Sequence, residues 1–115
     1  MSVVIYHNPR CSKSRQTLAL IEENGVVPEV IKYLETPPDA DTLKSLISML
    51  GYDSARELMR TKEDLYKELK LADETSEEAL IQAMVANPKL IERPVVVNNG
   101  KAAMGRPPEA VLDIL

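Results

Sequence analysis

The sequence has no tryptophan and no phenylalanine, and only one cysteine and one histidine in 115 residues. Without large rings there is no stacking platform for nucleobases. A net charge of -4 also points away from DNA or RNA, so no nucleic-acid partner is expected. One His and one Cys cannot supply the ligand set of a zinc site, and no metal or tightly bound cofactor is expected. A lone cysteine forms no internal disulfide, which suits a reducing compartment. No apolar run is long enough to span a bilayer, so no membrane partner is expected. The opening Met1-Ser2-Val3-Val4-Ile5-Tyr6 lacks a basic segment and reads as a buried strand rather than a secretory signal. A cytoplasmic address follows as the expectation.

What is present fits one globular domain over residues 1–115, with 44% hydrophobic and 28% charged residues. Val3 to Tyr6 is a run of strand formers ended by His7-Asn8-Pro9. Leu18, Leu20 and Ile21, closed by Asn24-Gly25, predict a helix that starts near Ser12. Val30 to Leu34 predicts a second strand, and a βαβ unit of this kind makes its two strands parallel. After Pro37-Pro38, the spacing of Leu43, Leu46, Ile47 and Leu50 predicts a helix ending at Gly51. Ser54–Met59 and Glu63–Leu69 read as shorter helices, and Thr75 with Glu78 reads as a capping box opening a helix to Asn87, ended by Pro88. Pro94 to Val97, a turn at Asn98-Asn99-Gly100 and a short run from Lys101 to Met104 predict a hairpin. Pro107-Pro108 introduces a last helix, Glu109–Ile114, with Val111, Leu112 and Leu115 turned inward. The expected fold is α/β: a mixed four-stranded sheet of thioredoxin/glutaredoxin-like order, with a helical insertion at about 38–90 between the second and third strands.

Charge is unevenly spread. Residues 1–21 hold Arg10, Lys13 and Arg15 and no acid, whereas Asp39 to Glu92 holds twelve acids against seven bases. Cys11 sits in the basic segment, between a strand end and a helix start. A helix N-terminus and nearby cations favour a thiolate, and the strand-to-helix turn is where ligands bind in α/β folds. A small buried hydrophobe is the plainer reading of a lone cysteine. Backbone donors from Ser12 onward, the hydroxyls of Ser12 and Ser14, and the Arg15 guanidinium can converge on an oxyanion, although both serines also suit simple helix caps. His7 either orients or deprotonates Cys11, or merely ends the strand. Ser14 stands where a C-x-x-C motif would carry its resolving thiol. Reducing an oxyanion by two electrons consumes two thiols, so the second must come from outside, glutathione being the evident donor in the cytosol. Arg93 and Arg106 precede prolines at either side of the hairpin. A cis Arg93–Pro94 bond would present backbone atoms to a thiol ligand, whereas trans is the base-rate expectation. Arg60 by itself says nothing.

The stretch His7-Asn8-Pro9-Arg10-Cys11-Ser12-Lys13-Ser14-Arg15 resembles the H-x3-C-x3-R signature of the glutaredoxin-coupled arsenate reductases, the ArsC family. The resemblance continues through Tyr33 to Pro38, Arg56 to Arg60, Glu92 to Val97 and Gly105 to Pro108, and is nearest to the short YfgD-like branch. It implies a thiolate nucleophile at Cys11, the signature histidine at His7, three oxyanion-holding arginines at Arg60, Arg93 and Arg106, and a cis-proline at Pro94. It also implies arsenate as substrate, glutathione as reducing cosubstrate and glutaredoxin as partner. Planar guanidinium forks suit a doubly charged oxyanion. Two other readings share the fold: a Spx-like regulator binding RNA polymerase, whose usual C-x-x-C is missing here, and a monothiol glutaredoxin-like deglutathionylase, which needs no arginines at the thiol.

Overall fold

A computed structural model describes residues 3–115. The chain divides into two compact units, Met1–Thr36 with Arg93–Leu115, and Pro37–Glu92.

The first unit is built on a four-stranded sheet of order β2-β1-β3-β4. Strand β1 is Val4–His7, β2 Glu29–Lys32, β3 Val95–Asn98 and β4 Lys101–Met104. β1 runs parallel to β2, with His7 opposite Lys32, and antiparallel to β3, with Val4 opposite Val97. The parallel pair follows from the intervening helix α1, Ser12–Glu23, because a crossover returns the chain in the same direction. β3 and β4 form the expected hairpin, with Val95 opposite Met104. Its turn places both Asn99 (φ 54) and Gly100 (φ 79) in the left-handed region, as a two-residue Asn-Gly turn requires. Ile5, Ile21, Val96 and Val111 are fully buried and form one core with Val3. Each such side chain contributes roughly 1.5–3 kcal/mol of transfer free energy. The Arg93–Pro94 and Arg106–Pro107 bonds are both cis.

The last segment departs from expectation. Pro108–Ile114 is a 3-10 helix, and Leu112 and Leu115 are 39% and 37% exposed while Val111 is fully buried. Three residues per turn put 108, 111 and 114 on one face, and Pro108, Val111 and Ile114 are the residues turned inward. Asn98 Nδ2 donates to the Ile114 carbonyl at 2.6 Å and ties this segment to the hairpin.

The second unit is helical: α2 Ala40–Met49, α3 Asp64–Glu68 and α4 Glu77–Ala86, joined by 3-10 turns at Ala55–Leu58, Leu71–Asp73 and Pro88–Leu90. Leu43, Leu46, Leu58, Leu80, Met84 and Leu90 fill its interior. Arg56 organises the connections, donating to the Leu71 carbonyl at 2.8 Å and also to Tyr66 Oη and the Glu74 carbonyl. Helix α4 starts one residue later than the expected cap. Ser76, not Thr75, accepts the Ala79 N–H, and Glu78 turns to Gln82 and Lys44 instead of closing a capping box. The Glu74 carboxylate accepts the N–H groups of Thr75 and Ser76. A full capping box occurs instead at Ser54 and Glu57.

Candidate active site

Strand β1 delivers His7 to a tight loop, and α1 begins directly after Cys11. Asn8 shapes that loop: its Oδ1 accepts the Arg10 N–H and its carbonyl accepts the Cys11 N–H, each at 3.0 Å. Cys11 takes the N-cap position in extended geometry and is buried. Its sulfur makes no formal capping hydrogen bond. The N–H groups of Ser14 and Lys13 nevertheless lie near enough to favour the anion. Among the described residues the buried polar side chains are His7, Ser14 and Thr17, the first at the end of β1 and the other two in the first two turns of α1.

Two opposing influences act on the thiol. Burial raises its pKa, while the Ser14 N–H, the Arg93 charge, the Lys13 N–H and the Arg106 charge lower it, and the lowering influences win. Arg106 Nη2 lies 3.7 Å from Cys11 Sγ, within reach of a charge-assisted contact. Its Nε donates to the Arg93 carbonyl at 2.8 Å, so the two arginines at the open end of the hairpin are linked. The nucleophile, two helix-start N–H groups and two guanidinium groups thus come together from residues 11–14, 93 and 106. The hairpin register brings the last two to the sulfur.

The other expected site residues take different places. The Ser14 hydroxyl is engaged elsewhere, pairing with His7 Nδ1 at 2.7 Å and accepting the Asn8 N–H at 3.0 Å; what Ser14 offers Cys11 is its backbone N–H. His7 is therefore bound to Ser14, and burial, Lys32 and Arg15 hold its pKa below the ordinary 6.5, which leaves the ring neutral at pH 7. The sequence puts Arg15 on the anion, but its Nη1 donates to the Pro9 carbonyl at 2.9 Å. Ser12 is exposed in the first turn of α1. Arg60 belongs to the helical unit, where Nη1 pairs with the Glu63 carboxylate at 3.0 Å. Pro94 is buried, and its carbonyl accepts the Gly105 N–H at 2.9 Å.

Sequence reading missed Gly105 and Thr17. A Cβ on Gly105 would stand 2.5 Å from Thr17 Oγ1 and 2.7 Å from Pro94 Cγ, so this glycine is required by space and not by φ. The signal was its position directly before Arg106-Pro107. Among the described residues no group of three His, Cys, Asp or Glu could hold a metal ion, and no helix is long and apolar enough to cross a membrane.

Comparison with known proteins gives one consistent result. The sequence model of the ArsC family matches residues 6–114. The chain is 73% identical over 114 residues to YfgD of Escherichia coli K12, covering 98% of this chain and 96% of that one. It is 53% identical to a Neisseria meningitidis protein named arsenate reductase, covering 98% and 97% of the two chains. The solved structure of arsenate reductase from Vibrio cholerae superposes with a TM-score of 0.98 at 62% identity, over 100% of this chain and 98% of that one. The chain belongs to the ArsC family.

Proposed function

We propose that the protein reduces arsenate to arsenite in the cytosol, with Cys11 as nucleophile and with glutathione and glutaredoxin supplying the electrons. The observation that carries this reading is the meeting of Cys11 Sγ with Arg106 Nη2, at 3.7 Å, at a helix start where Arg93 and the Ser14 N–H also favour negative charge. That arrangement serves a thiolate before reaction and an oxyanion bound to sulfur after it. A deglutathionylase needs the first of these properties only.

In the proposed cycle the Cys11 thiolate attacks arsenic, forming an S–As bond as one As–OH bond breaks, and the departing hydroxide takes a proton from solvent and leaves as water. A glutathione thiolate then attacks the Cys11 sulfur. The S–S bond forms, the S–As electron pair stays on arsenic, and As(V) becomes As(III), released as arsenite. Two thiols are oxidised to one mixed disulfide, which balances the two electrons taken by arsenic. A glutaredoxin thiolate next attacks the glutathione sulfur and frees Cys11. Ser14 leaves no internal resolving thiol at its position, so the second sulfur is external. Arg93 and Arg106 offset the charge of the adduct. Arg60 is assigned a third share of that task by family resemblance, and Arg60→Ala should then raise the KM for arsenate.

The test is arsenite production by the purified protein with arsenate, glutathione and glutaredoxin. Turnover should need all three and vanish in a folded Cys11→Ser variant, with glutathione found on Cys11 by mass spectrometry when glutaredoxin is withheld. Undiminished turnover by Cys11→Ser, or no arsenite from the complete mixture, refutes the proposal.

A further inference from the structure

At the Cys11 loop, where the parallel strands β1 and β2 end, lies a depression of about 330 Å³ whose lining includes neither Arg93 nor Arg106. His7 and its register partner Lys32 stand at the strand ends. Arg10 borders one side, and Leu34 and Glu35 the other. The walls are held from within. Asn8 fixes the loop through its two contacts to Arg10 and Cys11, and the Lys32 carbonyl accepts the N–H groups of Glu35 and Thr36, each at 2.9 Å. The volume falls in the range of small-ligand sites, and the C-terminal edge of parallel strands is where α/β sheets place their ligands.

The lining has a definite charge pattern: two cations, Arg10 and Lys32, one anion, Glu35, and an exposed apolar side chain, Leu34, at 44% exposure. Inorganic oxyanions match this poorly, because they carry no cationic group for Glu35 and no apolar part for Leu34. Glutathione carries two carboxylates, one ammonium and a short apolar thiol arm, which is the complementary set. Arg10, on the border of the depression, is the chain neighbour of Cys11, whose sulfur such a thiol must attack.

We infer that this depression is the binding site of the glutathione cosubstrate, with Arg10 and Lys32 taking its carboxylates, Glu35 its ammonium group, and Leu34 its thiol arm. The inference rests on the reading of glutathione as the external thiol, but its test does not require arsenate reduction. The probe is S-methylglutathione, which cannot react with Cys11, titrated into the whole protein and followed by amide NMR shifts. The expected result is saturable shifts centred on Asn8, Arg10, Lys32, Leu34 and Glu35. Lys32→Glu and Arg10→Glu, both at exposed positions, should each weaken binding about tenfold, the scale of one charge-assisted contact. Glutathione diethyl ester, which lacks both carboxylates, should bind wild type no better than these variants bind the free acid. The inference is overturned if no saturable shift appears, if the shifts centre on Arg93 to Met104, or if Lys32→Glu and Arg10→Glu bind the probe like wild type. Arsenite production that fails while these shifts persist would instead count against the reductase reading alone.

Discussion

Gly105→Ala tests how the site is held together. The new Cβ would lie 2.5 Å from Thr17 Oγ1, 2.7 Å from Pro94 Cγ and 3.0 Å from Thr17 Cγ2. Favourable carbon contacts are about 3.5–4.0 Å, so the gap must open by about 1 Å. Neither neighbour yields easily. Thr17 is fully buried, with its hydroxyl donated to the Lys13 carbonyl at 2.8 Å. Pro94 is buried at the start of β3, next to the fully buried Val95 and Val96. Overpacking of this kind costs about 1–3 kcal/mol, and with two stiff neighbours the upper end is expected. At about 4 °C per kcal/mol for a chain of this size, the melting temperature should fall by about 12 °C. Because the strain lies between α1 and the Pro94 ring, next to Arg93, the Cys11 thiol should also lose part of the stabilisation provided by Arg93 and Arg106. Circular-dichroism melts and urea midpoints measure the first effect, and alkylation of Cys11 against pH the second. Thr17→Ala removes both clashing Thr17 atoms, so the double variant should recover about 1 kcal/mol or more relative to additivity. An unchanged urea midpoint in Gly105→Ala, or strict additivity with Thr17→Ala, would refute the reasoning.

Three further predictions follow from the geometry. Arg106→Ala should move the midpoint of Cys11 alkylation to higher pH, because a charge 3.7 Å from the sulfur is lost, and Arg106→Lys should restore only part of it; iodoacetamide rates across pH report this. His7 titrates below its ordinary 6.5, so the unfolded chain takes the proton first as pH falls. The stability tied to His7 is therefore fully present above about pH 6.5 and is lost as pH drops from there toward the lowered folded value, and His7→Gln should flatten urea midpoints compared at about pH 7.5 and about pH 5.5. Arg56→Ala should destabilise the helical unit by about 2–3 kcal/mol, because the Leu71 and Glu74 carbonyls and Tyr66 Oη lose a charged donor; urea titration read by helical dichroism checks this.

The strands were readable where β-branched runs met punctuation, as at Val4–His7 before Pro9 and Val95–Asn98 before the Asn-Gly turn. Helix α2 was readable from the spacing of Leu43, Leu46, Ile47 and Leu50, whereas the helix expected at Ser54–Met59 is a 3-10 turn at Ala55–Leu58. Other features depended on choices that local pattern does not resolve. Thr75 and Ser76 are both good caps, and Glu74, just upstream, decides between them by taking both N–H groups. Leu112 and Leu115 follow from a period of 3.6, but the chain there runs at 3.0. At the site, the position of Cys11 at a helix start followed from the strand, turn and helix order. The roles of Ser14 and Arg15 did not. Within the first turn of a helix, a side chain meets local partners before distant ones, and His7, Asn8 and Pro9 take those two groups. Arg106 reaches the sulfur across 95 residues of sequence, a separation that only family resemblance could bridge.

The β3–β4 hairpin works as a caliper. Arg93 lies two residues before Val95 and Arg106 two residues after Met104, and Val95 and Met104 face each other. The distance between the two guanidinium-bearing backbones is thus set by strand register and clamped by the bond from Arg106 Nε to the Arg93 carbonyl. A one-residue insertion inside either strand would shift one jaw against the other and flip every side chain beyond it. The closed end, Asn98 to Lys101, carries none of this measurement and its tip is exposed. Added length there leaves the jaws unchanged, so the tip can diverge, or accept a grafted loop or reporter label, while the spacing at the sulfur stays constant.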